Sequence, residues 1–275
     1  MSYHHEPTTS GPHSPSHRTS DISTHNNIAD CIERFLREDS HHIWGFVIYR
    51  CTYDSDADWQ EFMKYYRAQL EKSLKSYNGL DLLDGLRITV FDDKETFDDA
   101  STMDVREHFK EWTKTAPEEE QGGRGEREGV IGESGSQRYR YCVQVDEEAL
   151  ESVINLPAFT TATDGAREGH VNLIWRDWET GPIVVRGDDG EVIRTVEREE
   201  EEDEDEIEGC KLHDVGWMMV GMRHVGLGMY YYLRDLNAWY IEYRRPPQVT
   251  MAWMFFLAQF WAVRSLHRAD HVSMY

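Results

Sequence analysis

Residues 44–53 have the sequence Trp-Gly-Phe-Val-Ile-Tyr-Arg-Cys-Thr-Tyr, the first apolar run after a polar leader, and this stretch decides the fold. Aromatic and β-branched residues fill positions 46–52, with Gly45 before them and an acidic cluster from Asp54 after them. This composition suits a strand better than a helix. We therefore predict a core strand over residues 46–52, and a pocket at its carboxyl end is where we expect a function to lie.

Helical spacing of apolar residues flanks this strand on both sides. Residues 28–37 form one amphipathic pattern, and residues 59–74 form a longer one that ends at Asn78-Gly79. Residues 86–91 then predict a second strand, and a capping pattern at Ser101 starts a helix that ends before Pro117. Together these segments predict a βαβ unit with an added helix.

The second half of the chain repeats this alternation of strand and helix. Residues 138–145 alternate as a strand does, residues 146–154 form a helix capped by Asp146, and residues 170–175 form a further strand. A hairpin over residues 183–185 and 192–196 follows. A third pass comprises a strand at 215–220, a helix at 227–236 and a last strand at 239–243.

These elements predict the α+β class, with repeated βαβ units on a mixed sheet and a possible ferredoxin-like core. Residues 1–27 are polar and poor in aliphatic side chains, so we predict a disordered leader. Residues 28–249 are expected to form a single domain with mobile insertions at 117–137 and 197–209. Residues 250–275 are expected to form an apolar C-terminal helical tail.

Charge limits the classes of partner. Acidic residues outnumber basic ones 52 to 29, which gives a net charge of −23. Such a surface repels nucleic acid and anionic lipid headgroups. Ten of the twelve residues 197–208 are acidic, and this run is either a solvated loop or a docking site for a basic partner. We expect a protein partner and no nucleic acid.

Cysteine spacing and the amino terminus indicate the compartment. Cys31, Cys51, Cys142 and Cys210 are widely separated and form no Cys-x-x-Cys pair, which argues against a disulfide framework and a zinc site. The first residues lack the basic and apolar blocks of a secretory signal. We expect a cytoplasmic protein that is not secreted, with the nucleus as an alternative.

The tail leaves three alternatives open. Residues 251–263 are apolar except for Gln259, and the uncharged window 246–263 has 18 residues. That length borders on a membrane span, but prolines and polar residues weaken this interpretation. An interfacial or partner-binding helix, or docking onto the body of the protein, fits better. Membrane contact is therefore not favoured.

Asp54, Asp56 and Asp58 are the strongest candidates for a metal or phosphoryl site, because alternate carboxylates hold Mg²⁺ or Ca²⁺. A calcium loop starting there would need Gly at position 59 and Glu at position 65, and the chain has Trp59 and Tyr65. Helix capping is the better interpretation.

His170, His213 and His224 are candidate general bases if Asp177 or Asp214 approaches them. The chain has no Gly-x-Ser-x-Gly motif, and cysteines within strand patterns suit the core. We therefore assign no catalytic, cofactor-binding or metal residue.

Three further patterns have structural interpretations that are stronger than the functional ones. Residues 221–228, a glycine-rich loop before a helix, match no phosphate-binding motif and predict a tight connection. Residues 186–188 spell an adhesion tripeptide that a hairpin turn explains. Six late aromatic residues fit the core better than a ligand pocket: Tyr230, Tyr231, Tyr232, Trp239, Tyr240 and Tyr243.

Five separated phrases of this chain resemble, in order, a lineage-expanded set of uncharacterised proteins from filamentous fungi. They are residues 44–53, 138–146, 171–173, 214–218 and 239–247. The resemblance covers residues 44–249, whereas residues 251–275 continue beyond the point where those proteins end. No activity is established for that set, so no functional residue is carried over.

These observations predict an intracellular fungal accessory or interaction protein that is not an enzyme, with an acidic surface and an apolar tail. The alternative is a small-molecule hydrolase or transferase that uses a His/Asp site in a cleft of the α+β body.

Overall fold

A computed structural model describes Arg18 and residues 27–122, 136–155, 169–186, 191–197 and 204–250. Helices and a six-stranded mixed sheet make up this part of the chain, so the predicted α+β class is confirmed. A two-stranded hairpin stands beside the sheet, as the sequence predicts for residues 183–196.

The strands of the sheet and the hairpin have the following bounds: β1 Val47–Arg50, β2 Val90–Phe91, β3 Tyr141–Val145, β4 His170–Trp175, β5 Ile183–Arg186, β6 Val192–Val196, β7 Trp217–Gly221 and β8 Val249–Thr250. The helices are α1 Ile28–Asp39, α2 Asp56–Ser76, α3 Lys94–Phe97, α4 Thr102–Trp112, α5 Ala116–Gln121, α6 Glu147–Ile154, α7 Leu227–Tyr232 and α8 Leu236–Glu242.

The strand order of the sheet is β2-β1-β3-β4-β7-β8. Strand β1 pairs in parallel with β2 on one side and with β3 on the other, so the chain reverses its direction of winding next to β1. Strand β4 is antiparallel to both of its neighbours, and β7 pairs in parallel with β8. This reversal next to β1 is the kind of position where open α/β sheets bind ligands.

Of the three predicted βαβ passes, the first is a parallel unit, the middle one is antiparallel, and the third ends in β8 rather than in the predicted strand 239–243. Helix α6 lies between β3 and β4 in the chain, yet these two neighbouring strands run in opposite directions. The predicted ferredoxin-like centre is wrong as well. Neighbouring strands of that arrangement are antiparallel, whereas three neighbouring pairs here are parallel.

Helices cover both faces of the sheet, and each face has its own apolar core. The first core joins α1, α2, α6, α7 and α8 to side chains such as Ile48, Val143 and Leu173. The second core joins α3 and α4 to the opposite face, with Tyr49 and Cys142 among its members. Because alternate residues of a strand face opposite sides, both faces of β1 are apolar.

Local capping signals explain why the predicted helices begin where they do. Asn27 caps α1 and Ser101 caps α4, each in a reciprocal capping box with the residue three positions on. Ser55 caps α2, and its side chain accepts from the backbone N–H of Asp58. The helices predicted at these three places are confirmed.

Two predicted strands differ from the structure. Residues 239–243 were expected as a strand but lie almost wholly in α8, where Asp235 caps the helix and Trp239 stacks on Tyr141. Packing of a large aromatic side chain overrides the strand propensity of this segment. Strand β3 begins at Tyr141 rather than at residue 138, because residues 137–139 form a 3₁₀ turn.

The predicted mobile insertion at 117–137 is wrong at both of its ends, and residues 123–135 lie outside the described residues. Helix α5 ends at Gln121, whose buried amide accepts from the N–H of His42 at 2.9 Å and donates to Tyr139 at 2.8 Å. Gln137 is also buried, and its amide donates to the carbonyl of Tyr230. The buried amides of Gln121 and Gln137 therefore hold the two ends of a segment whose composition is typical of a linker.

The predicted mobile insertion at 197–209 is wrong for its last part. Residues 204–210, here called the acidic strap, pack on the body. Ile207 contacts the second core, Glu204 lies 3.2 Å from the guanidinium of Arg245, and Glu208 accepts from the N–H of Thr102 at 3.0 Å. Residues 198–203 lie outside the described residues.

The predicted disordered leader covers residues 1–27, of which the structure describes Arg18 and Asn27. Arg18 is buried and forms ion pairs with Asp30 and Glu33, so this part of the leader is docked on α1. At the other end, Thr250 belongs to β8 rather than to the predicted tail, and residues 251–275 lie outside the described residues. The described part of the chain holds no helix with the length and apolar character that crossing a bilayer needs.

Candidate functional site

A groove of about 320 Å³ opens beside the carboxyl ends of β1 and β3, here called the acidic groove. The backbone N–H of Asp99 donates to the carbonyl of Cys51, the residue after β1, so this wall of the groove is fixed to the end of that strand. The groove has five carboxylates in its walls: Asp99, Asp146, Glu147, Glu148 and Glu208. No Lys, Arg or His lines it among the residues that the structure describes.

The chain topology explains why these carboxylates converge. Helix α2 leaves β1 on one face of the sheet, and α4 leads back to β3 over the other face. The starts of α4 and α6 therefore meet at the same end of the sheet, beside the position where the winding reverses. A groove is thus present at the carboxyl end of the first core strand, the place where the sequence suggests looking for a function.

Two buried amides form the floor of the acidic groove. Gln144 on β3 is 1% exposed, and its Nε2 donates to the carbonyl of Ala100 at 2.7 Å. Its Oε1 accepts from Nδ2 of Asn172 on β4 at 3.3 Å. The same Nδ2 donates to Oδ2 of Asp146 at 2.7 Å, while Oδ1 of Asp146 caps α6 through the N–H of Ala149. This chain of donors fixes the orientation of both amides.

The orientation leaves one strong acceptor unused. Oδ1 of Asn172 is buried and has no hydrogen-bond partner in the described structure, although the side chain is only 2% exposed. A buried carbonyl without a donor costs about 1–3 kcal/mol. Asn172 therefore lines the groove with a hydrogen-bonding requirement that the described part of the chain does not meet.

Trp217 on β7 lines the same groove and has the complementary requirement. Its indole N–H is buried and, within the described residues, donates to no acceptor. The floor thus presents one acceptor, on Asn172, and one donor, on Trp217, within a wall of carboxylates. A ligand that satisfies both must carry N–H donors and a carbonyl-type acceptor.

The acidic strap forms one side of the groove. Glu208 of the strap receives two donors from Thr102 at the start of α4, the backbone N–H and the side-chain hydroxyl. A carboxylate at a helix amino terminus is stabilised by the free N–H groups and the helix dipole. The strap is thereby attached to α4 at the rim of the groove.

A second groove of about 480 Å³ lies on the other side of the strap. Glu204, Arg244 and Arg245 line it together with Trp217, so the same indole ring forms part of both grooves. Its two carboxylates, Glu204 and Asp205, balance Arg244 and Arg245, and Glu204 forms an ion pair with Arg245. This groove therefore lacks the excess of negative charge that the acidic groove has.

The aspartates after the first core strand do not form a metal site. Asp56 begins α2 and lies 2.5 Å from a guanidinium nitrogen of Arg50, and Asp58 lies in the first turn of that helix. No group of three or more His, Cys, Asp or Glu in the described part of the chain is placed to hold a metal ion. Asp56 forms an ion pair, and Asp56 and Asp58 lie in the first turn of α2, where the helix dipole favours carboxylates, while Ser55 provides the cap.

The candidate general bases lie apart from one another, on β4 for His170 and in the loops before and after β7 for His213 and His224. Asp177 pairs with Arg176 instead, and Asp214 accepts from the indole of Trp239 at 2.9 Å. Burial lowers the pKa of His170, against the attraction of Glu148 and Asp146. The predicted His/Asp combinations are thus not assembled around one cleft.

The cysteines of the strands are buried, as predicted. Burial raises the pKa of the Cys51 thiol to about 12 and raises that of Cys142 well above its usual value. A reactive cysteine needs a lowered pKa, because the thiolate is the nucleophile. Neither thiol has that property.

The remaining sequence candidates are the loop 221–228, the late aromatic residues and the tripeptide 186–188, and the structure bears out only part of what was predicted for them. Residues 221–228 form a tight connection, in which a side chain at Gly226 would meet Leu70 at 2.8 Å. Tyr230, Trp239 and Tyr243 are buried in the first core, whereas Tyr240 is 61% exposed. Of the tripeptide 186–188, only Arg186 lies within the described residues.

Sequence reasoning missed the two amides that define this site. A signal was present, because Asn172 interrupts an otherwise apolar strand with a side chain that must find partners in the core. Gln144 interrupts β3 in the same way. Both positions were treated only as parts of strands.

The fold and the site define an α+β protein with an acid-lined groove where the winding of its sheet reverses. Comparison of the chain with protein-family models, with curated proteins and with solved structures gives no match. The resemblance to the fungal set therefore stays a prediction.

Proposed function

We propose that this protein is a non-enzymatic interaction protein that binds a basic segment of a partner protein in the acidic groove. The observation that carries the proposal is the unpartnered carbonyl of buried Asn172 within a wall of five carboxylates. Cations with N–H donors satisfy both the charge of the wall and the acceptor on the floor.

A peptide fits the floor better than a bare cation does. The indole N–H of Trp217 needs an acceptor, and a metal ion or a simple amine offers none. A peptide carries a carbonyl at every residue as well as its basic side chains. One bound segment thus supplies both kinds of group.

The charge of the whole chain supports the same partner. A net charge of −23 attracts basic proteins over the range of a Debye length, about 8 Å at physiological salt. The same field disfavours nucleic acid. Electrostatic attraction of this kind raises the association rate and falls with added salt.

We place this function in the cytoplasm, with the nucleus as an alternative. All four cysteines of the chain are free, and three of them are buried. This state fits a reducing compartment.

The test is fluorescence anisotropy of the full chain with a fluorescein-labelled decapeptide of alternating Lys and Gly. Neutralising the rim with Glu147→Gln and Glu148→Gln is expected to weaken binding about tenfold, which corresponds to about 1.4 kcal/mol. Both side chains are exposed, so the fold should tolerate their replacement.

The matched control is the pair Glu61→Gln and Glu71→Gln on α2, which removes the same charge from exposed positions that do not line the groove. Binding in the groove predicts a loss only in the rim variant. Equal losses in both variants, or an unchanged affinity in the rim variant, would show that the peptide binds elsewhere and would overturn the proposal.

A further inference from the structure

We infer that the acidic groove selects a primary ammonium group, as on a lysine side chain, over the guanidinium of arginine. This inference rests on the proposed function and names the chemical group that the site recognises. It follows from which oxygen atoms of the groove are already used.

Two of the five carboxylates of the groove, Asp146 beside the amide floor and Glu208 of the strap, have a donor on each oxygen. Asp146 accepts from Ala149 N–H at 2.8 Å on Oδ1 and from Asn172 at 2.7 Å on Oδ2. Glu208 accepts from the backbone N–H and the hydroxyl of Thr102, one on each oxygen. Each oxygen keeps a further lone pair, but neither carboxylate offers an unoccupied pair of oxygens.

A guanidinium binds best when two parallel N–H groups meet the two oxygens of one carboxylate. At Asp146 or Glu208, a guanidinium would have to share each carboxylate oxygen with the donor that the oxygen already has. An ammonium group has three N–H donors that point in different directions and needs only one lone pair from each acceptor. The arrangement of acceptors therefore suits the ammonium.

The unpartnered carbonyl of Asn172 strengthens this preference. It is a single acceptor at a side chain that is 2% exposed, so only a compact donor at the end of a narrow chain reaches it. Lysine has such a shape, with a compact charge on a four-carbon stem. The Trp217 ring in the same wall provides apolar surface for that stem.

The experiment compares four heptapeptides, acetyl-Gly-Ser-Gly-X-Gly-Ser-Gly-amide, that differ only in the central residue and are capped at both ends so that this side chain carries the only possible cation. They are titrated into the full chain in competition with the labelled decapeptide. The central residues are Lys, Arg, trimethyl-Lys, which keeps the charge without N–H donors, and acetyl-Lys, which loses the charge. We expect Lys to bind at least tenfold more tightly than Arg, trimethyl-Lys to bind no better than Arg, and acetyl-Lys to give no competition.

The variant Asn172→Leu is expected to abolish the difference between Lys and Arg by removing the deep acceptor. Because it also removes two hydrogen bonds from the core, the comparison of peptides on the unaltered protein tests the inference independently. If Arg or trimethyl-Lys binds as tightly as Lys, the inference is wrong while the proposed function stands. If none of the cationic peptides and no labelled decapeptide binds, the proposed function itself fails.

Discussion

Glu242 is a buried carboxylate at the end of α8, 5% exposed, and its Oε1 has no hydrogen-bond partner among the described residues. Burial raises the pKa of Glu242 above its usual 4.5, against the attraction of Arg244. A raised pKa in the folded state means that folding favours the protonated form. The contribution of Glu242 to the free energy of unfolding is therefore fully present below pH 4.5 and is lost as the pH rises through the folded-state pKa.

Replacing this residue with Gln is expected to stabilise the protein at pH 7 by about 1 kcal/mol, because the neutral amide avoids burial of a charge. The gain should vanish at pH 4, where the native residue is itself protonated. Urea denaturation of both proteins at the two pH values measures the effect. A loss of stability at pH 7 would mean that the carboxylate is stabilised by a group outside the described residues.

At the scale of elements, Arg138 fixes the entry to β3. It is fully buried, forms an ion pair with Glu120 of α5 at 2.6 Å and donates to the carbonyls of Gly45 and Arg87. Burial alone would raise the pKa of Glu120, but its hydrogen bonds from Arg138 outweigh burial and lower it. One side chain thus joins the segments before β1 and β2 to the start of β3.

The variant Arg138→Met is expected to cost about 3–5 kcal/mol, because it removes the cation from the partly buried carboxylate of Glu120, which keeps only the Tyr139 hydroxyl as a donor, and removes the Arg138 donors from two carbonyls. Adding Glu120→Gln should recover part of the loss by removing the unpaired charge. Thermal and urea denaturation of the two single variants and the double variant give the coupling energy. Additive losses would show that the ion pair contributes nothing of its own.

Elements with local signals were predictable, and those that depend on distant partners were not. The caps at Asn27, Ser55 and Ser101 and the apolar spacing of α2 belong to the segments that they start. Helix α8 was predicted as a strand because its aromatic residues favour strands. The contact that decides its structure is between Trp239 and Tyr141, two residues about a hundred positions apart in the sequence.

The candidate site shows the same division. Asp146 has a local role that sequence reveals, the capping of α6, whereas Glu208 contacts Thr102, which is distant in sequence. Their convergence depends on the strand order and on the antiparallel pairing of β3 with β4, which places Asn172 opposite Gln144. No local pattern specifies that pairing, so the site could not be assembled from the sequence.

For the whole molecule, histidines with lowered pKa values make the free energy of unfolding depend on pH. This dependence falls at higher pH than the range in which ordinary carboxylates titrate. Burial lowers the pKa of His41 and of His170 below the usual 6.5, although nearby carboxylates oppose the shift. The unfolded chain then binds more protons than the folded one as the pH falls below 6.5. Stability from these residues is complete above pH 6.5 and is lost as the pH falls through the folded-state pKa values.

We expect the free energy of unfolding to rise between pH 5 and pH 7, by at most about 1.4 kcal/mol per pH unit for each histidine. The variant His170→Gln should have a shallower slope, since it cannot gain a proton. Urea denaturation across this range, at constant ionic strength, provides the measurement. Because Glu242 contributes in the opposite direction, the test is the difference between the two proteins, and an equal slope in His170→Gln and in the unaltered protein would contradict the burial of a neutral His170.

Strand β2 contributes only Val90 and Phe91 to the sheet, and no strand within the described ranges pairs with its outer side. Asp92 and Asp93 follow immediately, and Asp92 is held 3.5 Å from the guanidinium of Arg50. Exposed edges are where sheets recruit foreign strands and aggregate, and short strands bordered by charge prevent this. The boundary of the sheet at β2 thus offers another chain little backbone to pair with, which protects the folded molecule against growth into fibrils from that side.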